Sequence, residues 1–410
     1  MHIVFIYLYL EEHYIQGERE MKAIKNESIN VLLTDGYSRQ VLPMIQAFKN
    51  LGCSVTAICF SRLDVGYSSR LTNARILSRV QREDESGRLR EIMELLKTQL
   101  YDIVVPTTDF SAILLSKNKG CLSSYAYIAV NDWDVLTLAS DKYETMKICM
   151  QNKIPCTRTM LDIHSFEDVS TSGFTYPLVI KPKTSYGAIG FHIVHNEDEL
   201  HALFNRDSFD IEQMVAQEYI PQTDIQYEAA MYIDIDNTVK TALVFSKNRW
   251  FPIAGGASTL NISVEEPSIV ESCSNLLQLI NWRGYADIDL IRDPRDGVAK
   301  IMEINPRVSG SVKICFLAGV NMAQQILENA MGKIATPFLS YKTGIRLRSM
   351  HTDLLWFIRS KERFRANPSW FSIKNTSEQI FCWRDPLPWF TYSIQCLIKY
   401  KTEMKKRTDN

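Results

Sequence analysis

The sequence has no CxxC pair and no zinc-type spacing among its nine cysteines, and an odd count excludes complete internal pairing. A reducing compartment, the cytoplasm, is the expectation. Charge of either sign is not in excess: 46 Lys and Arg stand against 47 Asp and Glu, a formal charge of -1. Nothing global therefore points to nucleic acid or an anionic membrane as the main partner, and small molecules are expected instead. Long apolar runs are missing as well. The opening MHIVFIYLYL has no basic n-region, ends in Glu11 and Glu12, and is too short to span a bilayer, so residues 1–28 read as a poorly ordered leader. The first strand is not followed by GxGxxG, no Walker A pattern occurs, and no GxSxG is present, which removes a Rossmann dinucleotide site, a P-loop NTPase and a nucleophile elbow. His192 and His195 lie three apart in a predicted strand and face opposite sides, which argues against a shared metal.

What is present begins at Asn30. INVLLTDG, RQVLPMIQAFKNLG and CSVTAICF read as strand, helix and strand, and YDIVVPTTD is a continuous apolar run that suits a buried parallel strand. These predict a doubly wound parallel sheet, with ligands at the carboxyl ends of its strands and a substrate pocket built from loops such as 35–39 and 107–109. From about residue 120 to 330, short strands alternate with helices in an α+β pattern. The last 80 residues are rich in Trp, Phe, Arg and Lys and end in an amphipathic helix.

The most telling stretch is IMEINPRVSGS, 301–311. Glu303, Asn305 and Arg307 fall on one face of a strand and Ile304 on the other. YADIDLI and VAKIMEIN flank the turn DPRDG, so an antiparallel hairpin is predicted with Asp289 opposite Glu303. Two facing carboxylates repel unless a cation lies between them, and Asp289, Glu303 and Asn305 offer the hard oxygen ligands that Mg²⁺ (or Mn²⁺) accepts. The alternative is a solvated surface hairpin. In VIKPKTSYGAIGFHIV, Lys181 ends a strand before a loop with Ser185, Gly187 and Gly190, where a lysine and tip amides can hold phosphate oxygens; a plain turn is the alternative. Lys142 opens a helix and, taken alone, is a solvated lysine. MVAQEYIP places Glu218, Tyr219 and Ile220 on an extended connector able to face an adenine edge or to be an edge strand, and Asp224 and Glu228 follow as acids for ribose hydroxyls or for water.

Taken in order, SDKYETMKICMQNKIPCTRT, PLVIKPKTSYGAIGFHIV, AQEYI, ADIDLIRDPRDGVAKIMEINPRVSGSV and FLAGVNMA resemble the ATP-grasp superfamily. The resemblance implies an N-terminal α/β domain at 29–118 and an ATP-grasp domain at 119–332. The latter divides into a lobe with the phosphate loop, about 140–216, and a metal-binding lobe, about 217–332. Residues 333–410 form a C-terminal extension. It further implies Lys142 and Lys181 on the phosphates, Glu218 and Ile220 at adenine, and Asp224 or else Glu228 at ribose. Asp289, Glu303 and Asn305 would ligate magnesium and Arg307 would steady the reacting carboxylate. SYGAIG is less glycine-rich than many such loops, and Asp224 stands where Glu is common.

The implied activity is an ATP-dependent ligase that phosphorylates a carboxylate to an acyl phosphate and joins it to an amine, releasing ADP and phosphate. Two other readings stand beside it: bicarbonate activation of the carbamoyl-phosphate-synthase or carboxylase type, and a non-catalytic nucleotide-binding module. A two-fold homodimer is expected. For the final helix, docking of its apolar side onto the ligase body is expected over contact with a membrane.

Overall fold

The structure, a computed structural model, describes residues 28–183, 190–206, 209–221, 226–253 and 256–408, with side chains to residue 398. Residues 1–27 of the expected leader, Ser185, Gly187 and Asp224 lie outside the described residues.

Five parallel strands form the first sheet in the order β3-β2-β1-β4-β5: β1 (Asn30–Leu33), β2 (Ser54–Cys59), β3 (Ala74–Leu77), β4 (Ile103–Val105) and β5 (Tyr127–Ile128). Strands buried on both faces need helices on both sides, and Val41–Asn50, Glu85–Thr98 and Asp109–Lys117 cover them. Asp35, just past β1, accepts hydrogen bonds from Thr34 Oγ1 and Ser111 Oγ, each at 2.7 Å, and from the Thr107 amide at 3.2 Å. This carboxylate thus ties the two loops at the carboxyl ends of β1 and β4 together.

A four-stranded antiparallel sheet follows, ordered β6-β9-β7-β8: β6 (Thr159–Met160), β7 (Leu178–Pro182), β8 (His192–Val194) and β9 (Met214–Glu218). Val194, on the inner side of β8, packs with Leu178, Ile180 and Ala216.

The third sheet has seven strands, ordered β14-β13-β10-β11-β12-β15-β16. They are β10 (Gln226–Ile233), β11 (Val239–Phe251), β12 (Ala257–Val264), β13 (Gly284–Arg292), β14 (Ala299–Asn305), β15 (Arg346–Arg348) and β16 (Thr376–Glu378). The hairpin predicted around DPRDG is present, and its register pairs Asp289 with Glu303. β12 had no counterpart in the sequence reading, and β15 and β16 come from the last 80 residues: β15 pairs with β12, so the extension completes the sheet.

One buried ion cluster holds that join. Asp353 takes both oxygens of its carboxylate to Arg249, at 2.8 and 3.1 Å, and accepts from Arg348 Nε at 2.5 Å and Thr259 Oγ1 at 2.8 Å. A fully buried carboxylate is tolerated because two guanidinium groups and a hydroxyl satisfy it.

The final helix, Leu387–Thr408, departs from expectation. Its body-facing residues include Thr391, bonded to Ser68, and Gln395, whose amide donates to Asp64 at 2.8 Å, while Phe390, Ile394, Leu397 and Ile398 point outward. Polar partners on the helix Val65–Ser68 and at Asp64, which precedes it, select this face for docking, beside the partly buried Tyr392.

Candidate active site

Three antiparallel strands put three carboxylates in line. The register pairs Glu228 on β10 with Asp289 on β13, and Asp289 with Glu303 on β14, so the side chains stand abreast on one face of the sheet. Neighbouring carboxylates repel, and the counter-charges come from other elements. Lys247, on β11, lies 3.1 Å from Glu228 and bonds Asp289 closely. Lys142, in the first turn of the helix Lys142–Gln151, lies 3.4 Å from Glu303. That turn starts at Asp141, whose side chain caps it by accepting from the Tyr143 amide.

These neighbours set the charges. Burial pushes the Asp289 carboxyl up to about 6; Lys247 pulls it down, while Glu228 and Glu303 push it up. Burial alone would lower the Lys247 ammonium, yet Asp289 and Glu228 hold it well above the ordinary lysine range. Burial would raise Glu303, and Lys142 and Lys181 hold it below the usual carboxylate range instead. Lys181, buried at the end of β7, is brought down to about 8 by burial, with Glu303 raising it and Lys142 lowering it. Two lysines so placed, one of them with a lowered proton affinity, offer more positive charge than the single Glu303 carboxylate they face, which suits an anion richer in charge.

Arg307 closes the other side. Its Nε is 3.2 Å from Asp109 Oδ2, its Nη2 donates to Asn305 Oδ1 at 3.1 Å, and its Nη1 is 3.9 Å from Asp287 Oδ2. Burial opposes its charge, but Asp109 and Asp287 hold the guanidinium firmly protonated. Asp109 belongs to the first sheet's carboxyl end, where Thr108 caps its helix by accepting from the Ser111 amide. Hence the ligand edge of the parallel sheet meets the end of β14 at this arginine.

Asp287, opposite Asn305 and on the same face as Asp289, was not singled out from the sequence. Burial and the adjacent Glu228 keep its carboxyl well above the usual range, and its Oδ1 is buried without a hydrogen-bond partner among the described residues. Lys247 and Ser309, whose hydroxyl donates to Glu228, were missed too. Strand parity relative to Phe245, the partner of Glu228, is the only sequence signal for Lys247, and it requires the pairing to be known.

The donor set suits a magnesium ion. Asp289 and Glu303 face each other, and Asn305 points its amide nitrogen at Asp289 from 3.5 Å while its oxygen accepts from Arg307, so that a turn of the amide would offer its oxygen. A proton-hungry Asp289 would be relieved by a cation, and an orphaned Asp287 oxygen lies on the same face. No three His, Cys, Asp or Glu side chains converge tightly enough to enclose an ion among the described residues. The remaining shell would thus be water or phosphate oxygen, as Mg²⁺ prefers.

The other predicted residues lie toward β9. Glu218 accepts from the Arg158 amide at 2.9 Å and pairs with Arg295 at 2.5 Å and Lys300 at 3.3 Å, so its side chain faces cations of the β13–β14 hairpin and not the lysines of the carboxylate row. Tyr219 and Ile220 follow directly after the end of β9, and Ile220 is buried. Gly190 has φ +74°, and a Cβ there would lie 2.8 Å from Pro182 Cγ, so glycine is required where the strand after the loop crosses the end of β7.

Residues 139–311 match the family described as "ATP-grasp domain". A D-aspartate ligase from Enterococcus faecium (strain Aus0004) is 24% identical over 340 residues, spanning 75% of this chain and 78% of that protein. Among solved structures, a biotin carboxylase complex with β,γ-ATP from Campylobacter jejuni aligns with a TM-score of 0.66 at 17% identity, covering 78% of this chain and 74% of the other. An L-amino acid ligase from Bacillus licheniformis aligns with a TM-score of 0.58 at 17% identity, covering 75% of each.

Proposed function

We propose that the protein, whose residues 139–311 match the ATP-grasp domain family, is an ATP-dependent ligase joining a small-molecule carboxylate to an amine. The observation that carries this reading is the Glu228–Asp289–Glu303 row, edged by Lys142 and Lys181 on one side and by Arg307 on the other.

Lys142 and Lys181 hold the phosphate oxygens of ATP. Asp289, Glu303 and Asn305 would hold magnesium, which would supply charge neutralisation of the phosphates. Arg307 binds the acid substrate and, always charged and bidentate, orients one carboxylate oxygen toward the γ-phosphorus. That oxygen forms a bond to phosphorus as the β,γ-bridging P–O bond breaks, giving ADP and an acyl phosphate. The amine then adds to the acyl carbon, and the C–O bond to phosphate breaks. Arg307 stabilises the oxyanion formed between these steps, the amine proton passes to solvent, and amide and inorganic phosphate leave. No cysteine or serine nucleophile is needed. Ile220 and Tyr219 are assigned to the adenine, and Ser185, Gly187 and Gly190 to the phosphates. The backbone at Glu218 lines the adenine edge, its side chain being held by Arg295 and Lys300, and Asp224 is assigned to ribose, since Glu228 is buried against Lys247 and Ser309.

ADP and phosphate release with ATP and Mg²⁺, measured against pools of acids and amines that include D-aspartate and bicarbonate, tests the reading. Release that needs both an acid and an amine, and is lost in Glu303→Gln, is the expected result. Release driven by bicarbonate would establish the carboxylase-type reading instead. Failure to bind ATP in the presence of Mg²⁺ would overturn both.

A further inference from the structure

We infer that residues 350–408 form a docking surface for an anionic phospholipid bilayer, on which the C-terminal helix lies flat. The helix is amphipathic in an unusual sense: it turns Thr391 and Gln395 toward the body and its apolar stripe toward solvent. Phe390, Ile394, Leu397 and Ile398 recur at helical spacing over an arc of about 100°, and Leu397 and Ile398 are 79% and 67% exposed. Such a stripe loses free energy in water and gains it only against an apolar phase.

The surface continues beyond the helix. Trp383, 88% exposed, stacks edge-on against Phe381 at 4.8 Å, and Phe381 contacts Trp389, which contacts Phe390. His351 joins this group to the helix Met350–Arg359, lying 5.3 Å from the Trp389 ring and 2.7 Å from Ser393 Oγ. From that helix Phe357 reaches Phe364 and Phe371, both exposed.

Charge selects the occupant. Residues 351–410 contain eleven Lys and Arg against six Asp and Glu, whereas the first 350 residues carry 35 against 41. The near-neutral total conceals a basic end on an acidic protein. Exposed Arg359, Lys361 and Arg365 flank Phe364 in the sequence, the Arg363 guanidinium lies 5.4 Å from its ring centre, and Lys374 and Arg384 follow Ile373 and Trp383 directly. Basic side chains interleaved with Trp, Phe and Ile match the interface of an anionic leaflet, where aromatic rings sit at headgroup depth and cations meet phosphate. A two-fold contact with a second copy would bring one basic surface against another, which charge opposes. No helix among the described residues is long and apolar enough to cross a membrane, so the helix lies on the bilayer and does not span it.

Flotation of the full chain with phosphatidylcholine vesicles, with and without about one third phosphatidylglycerol, decides the matter. The expected result is flotation with the anionic vesicles only. It should weaken as salt rises from about 0.1 M to 1 M, over which the screening length falls from about 10 to about 3 Å. A triple variant, Ile394→Ser, Leu397→Ser and Ile398→Ser, alters only exposed side chains and should keep its melting temperature and ATP binding while its partitioning falls about tenfold or more. Lack of flotation on anionic vesicles overturns the proposal. So does a dimer in sedimentation that the triple variant converts to monomer, which would assign the stripe to a second copy of the chain.

Discussion

Arg307 and Asp109, 198 residues apart in the chain, form an ion pair with Nε 3.2 Å from Oδ2. The arginine leaves β14 and the aspartate opens a helix above the parallel sheet, so one contact registers two separately folded layers at the point where the acid substrate is proposed to bind. A substrate carboxylate must displace or share this partner.

Arg307→Lys should therefore reduce kcat for ligation by about 10²–10³-fold, since a lysine keeps the charge but loses the planar pair of donors. Asp109→Asn should act differently, altering KM for the acid more than kcat, because it loosens the arginine without removing it. Steady-state kinetics on the two variants separates these outcomes; equal loss of kcat in both would place Asp109 in the chemistry itself.

Lys247 carries the balancing charge for Glu228 and Asp289. Lys247→Met leaves these buried carboxylates facing each other, at an expected cost of about 3–5 kcal/mol. Mg²⁺ should restore part of that loss, so the increase in melting temperature on adding Mg²⁺ should be larger in the variant than in the parent protein. Calorimetry with Mg²⁺ and with a chelator measures both, and an unchanged increase would separate Lys247 from the metal-binding group.

The pH dependence of nucleotide binding follows from Lys181. Burial, with Lys142 nearby, brings its ammonium to about 8 from an ordinary value of 10.5. Between these values the free protein holds Lys181 neutral, and incoming phosphates restore its proton. ATP binding at about pH 9 should thus take up close to one proton, against little uptake at about pH 7, and affinity should fall by up to about tenfold per pH unit above 8. Titration calorimetry in two buffers of different ionisation heat reads the uptake directly, and Lys181→Met should abolish it.

Asp353 fastens the extension to the large sheet through Arg249, Arg348 and Thr259. Asp353→Ala leaves two guanidinium groups buried without their partner and should destabilise the protein by about 3–5 kcal/mol. Denaturant unfolding measures this. A loss below about 1 kcal/mol would mean that the extension's strands are held by backbone pairing and apolar contacts alone.

The comparison of sequence with structure turns on distance along the chain. The β13–β14 hairpin and the facing of Asp289 with Glu303 were legible because a short Asp- and Gly-containing turn fixes register and strand alternation fixes the face. The parallel strands of the first sheet were legible because burial on both faces writes itself as continuous apolar runs. Lys247 and Ser309 were not, since each meets Glu228 from an element far away in sequence, whereas Asp287 follows from the same alternation as Asp289, two residues along the hairpin, and carried no separate signal of its own. β12 was passed over because its polar residues, including Ser258 and Asn261, dilute the apolar alternation; they bond each other, and Asn261 bonds Ser311.

By itself, then, the sequence determined the local elements and the order of the ligand-bearing motifs, since turn chemistry and hydrophobic period act over a few residues. Only the tertiary structure decided which cation answers which carboxylate, that the last strands complete the central sheet, and that the final helix turns its polar face inward. Those outcomes depend on which surface each element meets, and a helix whose neighbour offers Asp64 and Ser68 docks through Gln395 and Thr391, whatever the apolar stripe on its other side.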